Sequence, residues 1–179
     1  MNNITKPSRR FALLLHIIFY VYPIFILWLW VDPSGTASSL GFDLIKSIMG
    51  ETQIRETVLW QRLACFGAAM LTGSVVMYML HSLSRLFTLY GKGEFFSTQN
   101  VACYRAVGIS LIVQQAVSLP EQALQTVILS WTNPVGQRII AIGADDTNIS
   151  LIVVGLMVIV ISRIMDEGRK MQEEQQLTV

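Results

Sequence analysis

Apolar residues in this chain gather into four long runs separated by polar segments. The first, 11–31, has 21 residues without a formal charge, interrupted by His16 and Pro23. At about 1.5 Å of helical rise per residue it covers the roughly 30 Å of hydrocarbon in a bilayer. Tyr20, Tyr22, Trp28 and Trp30 cluster toward its far end, where amphipathic rings favour the membrane–water boundary. The second run, 63–83, carries Ala64, Cys65, Ala68, Ala69, Thr72 and Gly73 on adjoining ridges, and Ala69 and Gly73 have the small-xxx-small spacing that lets helix backbones approach. The third admits two readings. Either 101–119 crosses alone and Pro120 opens a separate amphipathic helix through Ser130, or one kinked helix runs 106–130, because proline is accepted in a first turn and disruptive inside one. The fourth, 149–165, is nearly pure Ile, Val, Leu and Met, with Arg163 placed to snorkel.

The pattern predicts an all-α, polytopic membrane protein: one integral domain of four transmembrane helices with an outer amphipathic segment and a helical tail. The outer segment is 32–59, where Phe42, Ile45, Ile48 and Met49 fall at helical spacing. Segment 131–148, with Asn133, Pro134, Asp145 and Asp146, reads as a loop with turns. A cleaved signal peptide is the rival to the first span, with a weak small-residue site at 35–39. Its apolar core exceeds the roughly 7–15 residues such peptides use, so a retained anchor is favoured.

Basic residues orient the spans. With the amino terminus inside, Lys6, Arg9, Arg10, Arg85, Lys92, Arg105, Arg163, Arg169 and Lys170 lie inside, and Lys46, Arg55, Arg62 and Arg138 outside, nine against four of the 13. That is the positive-inside asymmetry, and it places both termini in the cytoplasm of a bacterial inner membrane. Composition sharpens the class. Apolar residues are 53% and charged residues 14%, against about 25% charged in soluble domains, whose surfaces must face water. The net charge of +1 creates no field that would draw nucleic acid. Cys65 and Cys103 form neither a metal spacing nor a redox motif. No cofactor is expected.

Two segments carry recognisable patterns. The inner loop reads Tyr90, Gly91, Lys92, Gly93, Glu94, Phe95, Phe96, Ser97, Thr98, Gln99, Asn100. Its glycines permit turns and Ser97 suits a helix cap. As a phosphate loop it is incomplete, since Lys92 is followed by Gly93. The tail places opposite charges four apart at Arg163/Glu167, Asp166/Lys170 and Arg169/Glu173, which favours a helix continuing past the membrane. Asp166, Glu167, Arg169, Lys170, Glu173 and Glu174 then form either a solvated helical end or a docking surface for a cytoplasmic partner.

The loop from Tyr90 to Asn100, taken with Arg163, Ile164, Met165, Asp166, Glu167, Gly168, Arg169 and the ending Leu177, Thr178, Val179, resembles an uncharacterised family of small bacterial four-span membrane proteins, the domain of unknown function 2975. The resemblance covers roughly the second half of the chain. It implies location and topology, and partnership with a helix-turn-helix regulator often encoded alongside. It supplies no catalytic residues.

The third run holds the costliest side chains. Gln114, Ser118, Glu121 and Gln125 recur at four, three and four on one helix face, flanked by Gln115 and Gln122. An ionisable residue inside a membrane costs about 2.5–3.5 kcal/mol at its centre on insertion scales. In one reading Glu121 sits hydrated at the outer boundary and the glutamines join helices. In the other the stripe lines a polar cavity in which Glu121 pairs with Arg62. His16 and His81 lack a third ligand for a metal and are expected to bond to neighbouring helices. No nucleophile elbow, zincin or phosphate-loop motif appears, so an enzyme is not expected. The expected role is non-enzymatic and sensory, regulatory or envelope-associated. Immunity to a pore-forming toxin, or service as a small transporter or channel subunit, are the rival roles. The partners expected are the bilayer itself, a cytoplasmic or membrane protein, and a second copy of the chain.

Overall fold

A computed structural model describes the backbone of residues 2–31, 57–134, 136–143 and 146–177. The described residues form four helices and no strand: α1 (Asn2–Val31), α2 (Leu59–Gly91), α3 (Thr98–Ser130) and α4 (Asp146–Leu177). Each contains a stretch long and apolar enough to cross a membrane, namely Lys6–Val31, Leu59–Gly91, Thr98–Ser130 and Ile149–Glu174. The chain is a multi-pass membrane protein. Its surface agrees: Leu13, Ile17 and Ile24 on α1 and Ile149, Met157 and Ile164 on α4 are each more than 60% exposed. Apolar surface of that extent has no place against water but suits lipid. The amphipathic helix expected in the outer segment falls on residues 32–56, outside the described residues.

The third span is one continuous helix, with Pro120 inside it. Of the two readings, the single helix through Pro120 is the one observed, and the helix starts upstream of both 101 and 106. The helix begins at Thr98 because Ser97 caps it, its hydroxyl accepting from Asn100 N–H at 3.3 Å and its carbonyl from Asn100 and Val101. At 33 residues, α3 extends roughly 50 Å, well beyond the hydrocarbon thickness. The fourth helix likewise begins earlier than expected, at Asp146, and continues through the tail.

The chain divides into two compact units. The first comprises residues 1–20, 75–115 and 146–179. Here α3 and α4 touch backbone to backbone: a Cβ built on Gly108 would lie 2.8 Å from the Gly155 carbonyl oxygen, and one built on Gly155 would lie 2.9 Å from that of Gly108. Such closeness is available only to glycine, and in lipid it replaces the hydrophobic drive that soluble helices use. On α1 and α2 in the same unit, the Phe11 and Phe87 rings stack at 5.6 Å and Ser84 Oγ donates to Ala12 O at 3.3 Å.

The second unit comprises residues 21–74 and 116–145. Its core is Trp30, Cys65 and Leu129, with Ile26, Phe66, Ala69 and Ile128 packed around it. Gly73 of the small-residue ridge faces Tyr22, whose ring would lie 3.4 Å from a Cβ at that position.

The glycines separate cleanly by test. Gly155→Ala forces the α3–α4 contact apart and is expected to cost about 1–3 kcal/mol, as overpacking does, lowering the thermal midpoint in detergent. Gly67→Ala meets nothing within 4 Å and is expected to be neutral or slightly stabilising. Equal midpoints for the two variants would rule out the close crossing.

Candidate functional site

The polar residues of α3 in the second unit serve two faces. On one, every fourth side chain bonds to every second residue of segment 139–143. Gln122 Oε1 accepts from Gly143 N–H at 2.9 Å, Thr126 Oγ1 from Ala141 N–H at 3.2 Å and Ser130 Oγ from Ile139 N–H at 3.2 Å. The hydroxyls return their own protons to helix carbonyls, Thr126 to Gln122 O at 3.0 Å and Ser130 to Thr126 O at 2.7 Å. The register has a simple origin. Four helical residues rise about 6.0 Å and two extended residues about 6.6 Å, so the two ladders stay matched over three rungs. Thr126 and Ser130 are fully buried and fully bonded. Sequence reading saw Gln122 and missed Thr126 and Ser130, although the spacing 122, 126, 130 was a readable signal.

On the other face lies Glu121. Gln125 Nε2 donates to its carboxyl at 2.9 Å, one turn along α3, and Thr72 of α2 neighbours it. The Thr72 hydroxyl is buried and makes no hydrogen bond that meets ordinary geometry. Gln125 O lies 4.0 Å from Cys65 Sγ. Ser118 is half-buried on the same face. Gln114 and Gln115 lie higher on α3, in the first unit, Gln115 buried and Gln114 partly so.

The expected pair of Glu121 with Arg62 does not form. Arg62 Nη1 donates to Val31 O at 3.0 Å and its Nε to Thr57 Oγ1 at 3.2 Å, so the cation sits at the carbonyl end of α1, where a helix dipole favours it. Thr72, the neighbour of Glu121, is ten residues beyond Arg62 on α2, or roughly 15 Å along the axis. The two charges occupy different levels. Beside Arg62, Gln61 is 1% exposed. Its Oε1 accepts from Val58 N–H at 3.1 Å, while its Nε2 donates to Ile128 O at 3.0 Å and Leu129 O at 3.4 Å. One amide thus bonds a backbone donor at the start of α2 and two terminal carbonyls of α3, of which Ile128 O also accepts from Trp131 N–H.

In the first unit the two patterned segments meet. After α2 the chain turns at Gly93, whose φ of 84° belongs to glycine. Gly93 N–H and Glu94 N–H close back on the Tyr90 and Leu89 carbonyls. The Phe95 ring stacks on Tyr90 at 5.5 Å, and Tyr90 Oη shares a 2.7 Å hydrogen bond with Tyr104 Oη. Asn100, fully buried, donates to Glu94 O at 2.7 Å and so fastens the loop to α3. Its Oδ1 is buried without a partner. Phe96 reaches α4, where a Cβ on Gly168 would lie 3.7 Å from its ring. Ser162 of α4 donates to Val101 O at 3.1 Å nearby.

The tail is a self-paired helical surface. Arg169 bridges Asp166 at 3.1 Å and Glu173 at 2.6 Å, and Lys170 bridges Asp166 at 3.5 Å and Glu167 at 2.9 Å. Of the expected pairs, Arg163 with Glu167 is not made. Glu167 turns to Lys170 instead, the arrangement with the acid on the amino-terminal side that helices favour. Glu174 is exposed on the same tail. The histidines lie apart in role, His16 Nδ1 3.3 Å from Ser84 Oγ and His81 against the Phe19 ring at 6.3 Å. Among the described residues no three His, Cys, Asp or Glu side chains converge.

A family model described as a protein of unknown function (DUF2975) matches residues 14–179. It reaches well past the second half on which the resemblance rested and takes in most of α1 and all of α2. No curated protein and no solved structure matches the chain.

Because Glu121 and Arg62 are set apart, Glu121→Gln and Arg62→Gln are expected to be additive within about 0.5 kcal/mol. A double-mutant cycle on thermal stability in detergent measures this, and a coupling above about 1 kcal/mol would restore the pair. Gln61→Leu orphans groups at two helix ends and is expected to cost about 1–3 kcal/mol in the same assay.

Proposed function

The chain belongs to the domain of unknown function 2975 family, whose two sequence signatures meet here at Phe96 and Gly168, and we propose that it is a non-enzymatic regulatory protein of a bacterial inner membrane. Both termini are cytoplasmic in this reading, as the distribution of lysine and arginine requires. The carrying observation is that α4 runs unbroken from its apolar stretch into the charged tail. A continuous helix transmits a shift in the membrane to the tail without a hinge. The Phe96–Gly168 contact ties that tail to the loop between α2 and α3. A cytoplasmic protein reads the tail on the face carrying Glu167, Glu174 and exposed Met171. A regulator encoded alongside, as the family resemblance implies, is the partner expected.

Reporter fusions near Lys92 and at the carboxyl terminus are expected to report the cytoplasm, and fusions near Lys46 and Asn148 the opposite side. An outside signal at Lys92 overturns the orientation. Removing residues 171–179 strands no buried backbone group, so the truncated chain is expected to insert and fold normally while losing a cytoplasmic partner on co-purification from membranes. An unchanged partner profile overturns the regulatory reading.

A further inference from the structure

A groove of about 440 Å³ opens between α1 and α2 in the first unit, in the size range of small-molecule sites. Arg9 and Lys92 stand at it together, both exposed. All ion pairs among the described residues lie within the tail, so neither cation has an acid. Gly91 brings them to one place: the Arg9 stem packs over it, with Cγ 3.0 Å from where a Cβ would stand. Two like charges lining one groove repel, and an anion bound there relieves that repulsion.

The groove grades from charged to apolar. Arg9 precedes the first apolar run by two residues and Lys92 directly follows α2, so both sit where a span leaves the hydrocarbon. Ala12 and Leu13 line the groove about one turn deeper, and Leu13 is 67% exposed. The Ser84 and Thr88 hydroxyls in the groove spend their protons on the carbonyls of Ala12 and Ser84. His16 also lines the groove, with Nδ1 3.3 Å from Ser84 Oγ, and the cationic donors of Arg9 and Lys92 have no use for the ammonium of a zwitterionic headgroup.

The geometry points to a binding site for an anionic phospholipid, its phosphodiester between Arg9 and Lys92 and its acyl chain along Ala12 and Leu13. Basic pockets between transmembrane helices bind such headgroups. The Leu13 wall favours a lipid over a free phosphate, which shares only the anionic part of the recognition. This site is independent of the tail and of the regulatory reading.

The full-length protein in neutral detergent is titrated with dioleoyl phosphatidylglycerol, dioleoyl phosphatidylcholine or inorganic phosphate, with retention followed by native mass spectrometry and protection by thermal midpoint. The wild type is expected to retain phosphatidylglycerol at least tenfold more tightly than phosphatidylcholine and to gain nothing from inorganic phosphate. Arg9→Gln and Lys92→Gln are each expected to weaken retention about fivefold and the double variant about thirtyfold, the weight of one or two basic residues at an anionic surface. Arg105→Gln, an exposed cation outside the groove, is expected to change nothing. Equal retention of the two lipids by the wild type, or equal loss in Arg105→Gln, overturns the site. Full protection by inorganic phosphate overturns the lipid as its occupant. Should the double variant not fold, the wild-type comparison decides alone.

Discussion

Backbone N–H and C=O groups within a membrane have no water to bond, so each must find a partner in the protein. Helices meet that demand along their length and fail at their ends, where four donors or four acceptors are left over. In the second unit burial in protein imposes the same shortage at helix ends, where Gln61 and Ser130 are out of reach of water. Gln61 bonds the start of α2 and the end of α3 with one amide, and Arg62 takes a terminal carbonyl of α1. Segment 139–143, which is neither helix nor strand, lends its N–H groups to Gln122, Thr126 and Ser130.

The first unit meets a different constraint, close approach. Helices in lipid gain little from burying apolar surface, so they gain from contact between backbones. Gly108 and Gly155 bring α3 to α4, and Gly91 admits the Arg9 stem. The loop after α2 is equally constrained, by Gly93 at its turn, Phe95 on Tyr90 and Asn100 on Glu94 O. Gly93, Phe95 and Asn100, all in the loop that carries the family resemblance, thus have structural roles of their own.

The four spans were legible because a run of twenty apolar residues is a global signal that no local preference overrides. The third span was ambiguous because Pro120 is a local signal. It removes one donor, while the ends of α3 are set elsewhere, by the Ser97 cap and by the partners of Gln61 and Ser130. The polar face of α3 was legible as a face, but its division into a ladder and a carboxyl cluster was not, since the ladder's partner is an irregular segment without periodicity. The Arg62–Glu121 pair failed for a related reason. Spacing along one helix says nothing of its level against another, and the two residues belong to levels roughly 15 Å apart. Gly108 and Gly155 escaped notice because a lone glycine in an apolar run has no meaning until its neighbour is known.

A polar side chain in a span is consequently weak evidence for a site until its bonding capacity has been counted. Thr126 and Ser130 look functional in one dimension and are fully engaged in three, and the Gln122 carbonyl is spent on Gly143 N–H. Glu121 is held by a neutral amide beside a neutral hydroxyl rather than by a cation. Among the described residues its neighbours are those of a group fitted into a helix contact. Arg9 and Lys92 show the opposite pattern. They look ordinary in sequence, two basic residues at the ends of spans, and topology alone would account for them. Yet among the described residues neither has an acid, and both line one groove, with the Arg9 stem packed over Gly91. Unused bonding capacity, more than polarity or cost of burial, marks where this chain has something left to bind.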